Sequence, residues 1–337
     1  MQILDTIFFC FSFDIYRYFG KKLNSMFSES FNIVVPPEKS GMRLDQWLSE
    51  ELSEKYSRSQ ISKWIKSGFI VGPDSLIKGS RKIEPEEMYT VQIPEPVLHK
   101  IEPIDLSLEI LYEDDNLAVI KKPPGIPVHP GSGESSKITL LNGIYHVWNH
   151  LKPTPENFRP GIVHRLDMHT EGILIIALNS NALRRLSEQF QKRTVKKEYT
   201  AWLMAAPPET EARLELPLKR HPAERMKMMV HKDGRSAVTS YKFNKAVISK
   251  KGRKYASVDI QIETGRTHQI RVHMAYLGCP VVGDNLYSRS YREFEKYGLL
   301  LLARKIQFIH PVTSKHMEFE ISLPERFIDF EKHCEAL

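Results

Sequence analysis

Cysteine is scarce in this chain: Cys10, Cys279 and Cys334 are the only three in 337 residues, and they form no C-x-x-C pair. That count excludes a disulfide framework and a cysteine zinc site, and it fits a reduced, cytoplasmic compartment. Long apolar runs are missing too. The N-terminal "FFCFSF" falls far below the ~18 to 20 apolar residues of a spanning helix. No basic region precedes it as in a signal peptide, so no membrane association is expected. There is no G-x-G-x-x-G and no P-loop, hence nothing that asks for a dinucleotide or a nucleoside triphosphate. The G-x-S-x-G elbow of serine hydrolases is absent, as is the H-x-E with C-x-x-C of zinc deaminases. His268 and His273 are five apart and His164 and Asp167 three apart, which is not the H-x-x-x-H helix face of a metalloprotease. Neither a metal nor a cofactor is expected.

What the chain does have is an ordinary globular composition, 41% hydrophobic and 26% charged, with a net charge of +7. The length allows two domains, and the charge permits a polyanionic partner without requiring one. Recognisable pattern starts only after Met26, itself a candidate start, and residues 1–30 read as a disordered or loosely docked tail. In "RLDQWLSEELSEKYSRSQISKWIKSG", Leu44, Trp47, Leu48 and Leu52 recur at helical spacing, and Ile61, Trp64 and Ile65 form the apolar face of a second helix. Ser57 or Ser59 can cap that helix, and Gly68 stops it. "FIVGPDSLI" reads as strand, turn and strand, and "YTVQIP" as another strand. From Lys55 to Lys82 there are seven Lys/Arg against the single acid Asp74, a net of +6 over 28 residues. Such a stretch is either a solvated basic face or a phosphate-binding surface.

Residues 31–98 resemble, through R-L-D…S-R-S and the strands that follow, the small alpha-L RNA-binding module of ribosomal protein S-four. "VGPDS" and Glu86-Glu87 depart from that module's usual turns and leave its basic helix intact. The resemblance implies an RNA-binding face that includes Arg58, Lys63, Lys66, Arg81 and Lys82. Residues 99–107, with their prolines and mixed polarity, read as a linker.

Beyond the linker the chain is strand-rich. "LEILYEDD" and "LAVIKK" read as a hairpin, "KKPPGIPVHPGSGESS" as a long loop, "SNALRRLSEQFQKRT" as a helix, and "KKEYTAWLM" and "SVDIQIET" as strands. "GIVHRLDMHTEG" (161–172) then poses a problem, because it sets Asp167 just before the apolar run "ILIIAL" (173–178), which reads as a buried strand. A carboxylate there needs amide donors or a cation. It is therefore either a structural turn residue or a working acid, and the segment alone leaves both open. In "TGRTHQIRVHMAYLGCP", Ile270, Met274 and Leu277 mark a helix ended by Gly278 and Pro280. Its other faces carry His268, Gln269, Arg271 and His273, which is either an ordinary basic surface or a set of donors for a carboxylate.

Several separated motifs then agree in order over residues 108–325. "VHRLDMHTEG", "KKEY" and "TGRTHQIRVHMAYLGCPVVGD", flanked by "LEILYEDDNLAVIKKPPGIPVHPG" and "LLARKIQFIHP", are similar to the boxes of the RluA-type pseudouridine synthase family. The resemblance implies an α+β fold, with a mixed, mostly antiparallel sheet and flanking helices, joined to the N-terminal RNA-binding module. Residues 326–337 would be a C-terminal extension.

It also implies an isomerase that turns uridine into pseudouridine in structured RNA, most naturally large-subunit ribosomal RNA. Transfer RNA, or a non-catalytic ribosome-assembly role, are the alternatives. Asp167 would be the essential acid, Arg271 its counter-ion and Tyr199 the platform for the uracil. Arg165 would push into the RNA stack, while His164, Thr170 and Gly172 shape the loop and adjoin the RNA. RNA is the expected partner and the protein is expected to be monomeric. Glu171 stands where serine is common in the family, and it is expected to point outward.

Overall fold

The strand predicted at "ILIIAL" is apolar on both faces without alternation, which is what a strand covered on both sides requires. In a computed structural model of the protein, residues 27–53, 55–56, 58–73, 77–94, 101–130, 138–151 and 159–336 are described. The chain divides into two units at residues 98/99.

The first unit pairs β1 (Phe27–Val34), β2 (Ile70–Val71) and β3 (Met88–Pro94) in an antiparallel sheet of order β1-β3-β2. Two helices cover it, α1 (Leu44–Glu51) and α2 (Arg58–Lys66). Leu44, Trp47, Leu48, Ile61, Trp64 and Ile65 are all buried, so the predicted helical faces form the core. β1 begins inside the stretch expected as tail; the rest of that tail, like the cap Ser57, lies outside the described residues. Ser59 is the second residue of α2. Ile77 belongs to no strand, and the rest of the second strand expected in "FIVGPDSLI" lies outside the described residues.

The second unit is built on a ten-stranded sheet whose main path runs β15-β11-β12-β7-β13-β6-β5-β4, with β14 on β13 and β8 on β11. Its strands are β4 (Glu109–Glu113), β5 (Leu117–Lys122), β6 (Glu171–Ala177), β7 (Lys196–Leu203) and β8 (Glu211–Glu215). They continue with β11 (Val238–Ser249), β12 (Lys254–Ile262), β13 (Leu301–Ile309), β14 (His316–Glu320) and β15 (Cys334–Ala336). β9 (Leu218–Arg220) and β10 (Met228–Val230) form a separate ribbon. The hairpin β4–β5 forms as predicted, and the only parallel pairing among the described residues is β13 with β6.

Every residue of β6 is buried. Leu174 and Ile176 face a core shared with α3 (Leu140–Val147) and α5 (Gln269–Tyr276). Ile173 and Ile175 face a second core shared with α4 (Ser180–Gln191) and α6 (Glu325–Lys332). Each buried aliphatic side chain contributes about 1.5–3 kcal/mol, so β6 is anchored from both sides.

Two stretches expected to lie outside this unit are built into it. Ile104 donates its amide to the carbonyl of Asn142 (3.0 Å), and Asn142 Nδ2 returns a bond to the carbonyl of Glu102 (2.8 Å). Residues 101–107 are thus strapped onto α3 instead of hanging free as a linker. At the other end, Phe327 and Phe330 of α6 are buried in the second core, and β15 extends the sheet along β11. Residues 326–337 are therefore part of the unit and not an appendage, because aromatic side chains this large carry α6 into the core.

Candidate active site

Asp167 lies in a loop, residues 163–170, between the bridge of Ile162 with Ile176 and the first residue of β6. Three anchors fix that loop. His164 accepts a hydrogen bond from the amide of Ile175 through Nε2 (3.0 Å), and its ring stacks on Phe190 at 4.6 Å. Removal from water is the main cause that pushes the His164 pKa down to about 3, so the ring is neutral and can accept that bond. Lys122, fully buried, donates to the carbonyls of Pro123 (2.7 Å), Met168 (3.0 Å) and Thr170 (3.0 Å). Thr170 closes the turn by donating its amide to the carbonyl of Asp167 (3.1 Å). Gly172 then enters β6 at φ +133°, where a Cβ would overlap the backbone of Ala303 on the parallel neighbour.

Arg271 on α5 brings the cation. Its Nε and Nη2 donate to the two carboxylate oxygens of Asp284 at 2.7 and 2.8 Å, a fork-to-fork pair that is buried on both sides. Its Nη1 lies 3.6 Å from Oδ2 of Asp167. That separation exceeds a hydrogen bond, so Arg271 supplies Asp167 with a fixed positive charge and leaves its lone pairs free. Asp284 is held in turn by the amides of Leu286 (2.9 Å) and Tyr287 (3.0 Å).

α5 itself is not a surface helix. Gln269 donates to the carbonyl of Val238 and to Thr239 Oγ1, both at 2.9 Å, and His273 bridges Thr239 Oγ1 and the carbonyl of Leu216. Of the donors that looked like a basic face in the sequence, Gln269 and His273 are consumed by β11 and its neighbour, His268 Nδ1 meets the Tyr287 hydroxyl at 2.9 Å, and Arg271 is taken by Asp284.

Tyr199 on β7 is 7% exposed, and it shares with Asp167, Arg271, Arg165, Phe190 and Ile270 a cavity of about 480 Å³. That volume suits a nucleotide-sized ligand. Burial first, and then the charge of Asp167, push the Tyr199 phenol above its ordinary pKa, so it keeps its proton. Arg165 is exposed at the rim, with Nη1 3.4 Å from His129 Nε2.

Asp167, Arg271, Tyr199 and Arg165 thus meet in one place. His164 and Thr170, grouped with the RNA-facing residues in the sequence, line the same cavity, and their polar atoms also hold the loop. In the first unit Arg58, Lys63, Lys66 and Lys82 are exposed. Arg81 is not a free phosphate ligand, because it pairs with both oxygens of Glu87 (2.9 and 2.7 Å) and with the Tyr89 hydroxyl (2.6 Å).

Glu171 corrects a further expectation. Its carboxylate is buried, not outward, and is paired with Arg326 Nε at 2.9 Å and Lys121 Nζ at 3.5 Å. Two cations neutralise it, so a second carboxylate close to Asp167 in the chain has its charge compensated inside the fold. Sequence reasoning missed Asp284, Lys122 and Arg326. Asp284 ends the "VVGD" of the third motif and Lys122 opens "KPPG", so both stood in motif segments. Arg326, within the acidic "PERFIDFE", gave no signal. Among the described residues no group of three or more His, Cys, Asp or Glu could hold a metal ion, and no helix is long and apolar enough to cross a membrane.

A mixed, mostly antiparallel sheet carrying an aspartate on the loop before a central strand, faced by an arginine and a tyrosine, defines a class of base-modifying RNA enzyme. The family described as RNA pseudouridylate synthase matches residues 116–276. The Uncharacterized RNA pseudouridine synthase YlyB of Bacillus subtilis is 36% identical over 295 residues, 87% of this chain and 94% of that protein. The Ribosomal large subunit pseudouridine synthase D of Vibrio cholerae is 36% identical over 310 residues, 88% of this chain and 92% of its own length. Among solved structures, human RNA Pseudouridylate Synthase Domain Containing 1 shares the fold at a TM-score of 0.56 and 24% identity, covering 68% of this chain and 89% of that one. The chain belongs to the RluA-type RNA pseudouridine synthases, isomerases that convert uridine to pseudouridine in RNA.

Proposed function

We propose that the protein isomerises specific uridines in structured large-subunit ribosomal RNA, with Asp167 as the essential acid. The observation that carries this reading is the meeting of Asp167, Arg271 and Tyr199 in one cavity of about 480 Å³. The reaction breaks the bond from uracil N1 to ribose C1′, turns the base, and joins C5 to C1′. The proton lost from C5 is balanced by one gained at N1, so no redox partner is consumed. Asp167, whose carboxylate accepts no hydrogen bond among the described residues and faces a fixed guanidinium, is suited to act at the ribose, whether by attack or by taking a proton. Tyr199, protonated and on a rigid strand, is suited to lie against the base and move a proton.

A base within a helix is out of reach, so the uridine must be extruded at a cost of a few kcal/mol. Arg165 at the rim is placed to fill the gap it leaves. The exposed Arg58, Lys63, Lys66 and Lys82 fit the first unit to an S-four-like role, gripping phosphates of a folded RNA. Ribosomal RNA is favoured over transfer RNA because relatives of full-length similarity carry ribosomal large-subunit names. A non-catalytic assembly factor would have no use for the charge on Arg271 beside Asp167.

The test is release of tritium from RNA transcribed with uridine labelled at C5. The wild type should release it from large-subunit ribosomal RNA. Asp167→Ala should lower the rate by about 10³-fold or more while RNA affinity holds. Equal release by the two proteins would remove Asp167 from its role.

A further inference from the structure

The cavity beside Asp167 extends past Tyr199 to the C-terminal end of α4, where it is lined by Phe190, Arg193 and Lys197. No part of the roles assigned above uses these two cations. Lys197 lies two residues before Tyr199 on β7, so it shares the strand face of Tyr199, one pleat repeat (~6.6 Å) along the strand. Its Nζ sits 5.9 Å from the Phe190 ring centroid, and it has neither an ion pair nor a hydrogen bond among the described residues. The acids of the cavity are already engaged: Asp167 faces Arg271, and Glu263 is held by Arg213.

Arg193 carries a second sign. The amide of Thr194 bonds to the carbonyl of Gln189 (3.0 Å) and the amide of Arg193 to that of Phe190 (3.2 Å), the pattern that ends a helix on a left-handed residue. Arg193 occupies that left-handed position at φ +59°, where glycine is the residue without strain. An arginine held there, next to a partly buried lysine of like charge and with no ion pair to either among the described residues, is not an arrangement that folding favours. It is one that an anion completes. Burial, and next the charge of Arg193, bring the Lys197 ammonium from 10.5 down to about 8, a penalty that a bound anion reverses.

We propose that Lys197 and Arg193 form a seat for the backbone phosphate of the nucleotide whose base enters the cavity beside Tyr199. This rests on the reading of the cavity as the uridine site. The spacing along β7 is of the order of the separation between a nucleobase and its own phosphate, with Phe190 as an apolar floor between the two subsites. The seat would hold the extruded nucleotide by its backbone and so help to offset the cost of extrusion, independently of base identity.

The experiment measures binding of an unmodified large-subunit ribosomal RNA transcript across a salt titration, in an Asp167→Asn background so that turnover does not interfere. Lys197→Met and Arg193→Gly should each weaken binding several-fold and lower the slope of log Kd against log salt by about 0.7–0.9. Lys197→Arg should restore the slope. Arg193→Gly should also raise Tm, since glycine relieves the left-handed backbone; weaker binding with a more stable fold is a combination that a structural role does not give. Unchanged Kd and slope in both variants would overturn the phosphate seat, whatever the isomerase assay gives. Loss of slope in the variants, with no tritium release by the protein carrying Asp167, would uphold the seat and sink the uridine reading instead.

Discussion

Arg271 answers to two carboxylates, and the division of labour between them explains how Asp167 is left free to act. Asp284 takes both of the short bonds and fixes the guanidinium plane; Asp167 receives only the charge, at 3.6 Å. Asp284→Asn should therefore lower kcat by about 10²-fold through a misplaced Arg271, with KM little changed. Stability should fall by about 3 kcal/mol as the buried guanidinium loses its partner; steady-state kinetics with a thermal melt tests both, and an unchanged kcat would deny the positioning role. His164 yields a pH prediction. Its folded pKa of about 3 lies below the ordinary 6.5, so between those values the unfolded chain binds the extra proton. Stability is fully present above pH 6.5 and drains away as pH falls toward 3. His164→Gln keeps an acceptor for the Ile175 amide but cannot titrate, and melts at about pH 7 and about pH 4.5 should differ less than in the wild type, by on the order of 2 kcal/mol. At this scale Asp167, Arg271 and Tyr199 were legible because each stands within a motif. The bond of Arg271 to Asp284 was not, because partner choice is decided by how α5 meets the turn after it, and no spacing rule records that.

β6 shows the same contrast among elements. "ILIIAL" read as a buried strand, since an unbroken apolar run of that length needs cover on both faces, and both covers are present. The identity of one cover was hidden. α6 lies some 150 residues further along the chain, and its Arg326 reaches back to Glu171 at the head of β6 while also donating to the carbonyls of Tyr297 (3.0 Å) and Leu299 (2.6 Å). An isolated glutamate in a sequence cannot announce a partner that distant, which is why Glu171 was expected to face water. Arg326→Met should destabilise the second unit by about 3 kcal/mol, because it leaves a buried carboxylate with Lys121 alone. Adding Glu171→Gln should recover part of that loss, and a double-mutant cycle by denaturant unfolding measures the coupling. Additive effects would mean that the pair does not act as one unit. Gly172 fixes the register of the same strand, since a side chain there meets Ala303 on β13. Gly172→Ala should cost stability and turnover together, as the loop carrying Asp167 is displaced with the strand.

The whole chain spends its charge unevenly, and that unevenness separates grip from chemistry. Asp167, Arg271 and Tyr199, with both hydrophobic cores that hold them, belong to the second unit, whereas the basic stretch from Lys55 to Lys82, net +6, belongs to the first. Arg81 is paired within the first unit with Glu87, while the other six cations of the stretch are exposed, among them the four expected to face RNA, Arg58, Lys63, Lys66 and Lys82. Each phosphate contact made by such a side chain releases condensed counter-ions and adds to the salt dependence of binding, by about 0.7–0.9 in the log–log slope. Removing residues 27–98 should therefore weaken binding to ribosomal RNA and make its salt dependence shallower, by up to about 3 in that slope if all four cations contact phosphate. The maximal rate of tritium release should survive, because no group placed beside Asp167 comes from the deleted residues. Saturating RNA separates the two effects: the truncated protein should reach the wild-type kcat at a raised KM. A truncated protein with wild-type affinity and slope would take the RNA-binding role from the first unit, and one that binds well but turns over slowly would move part of the catalytic apparatus there.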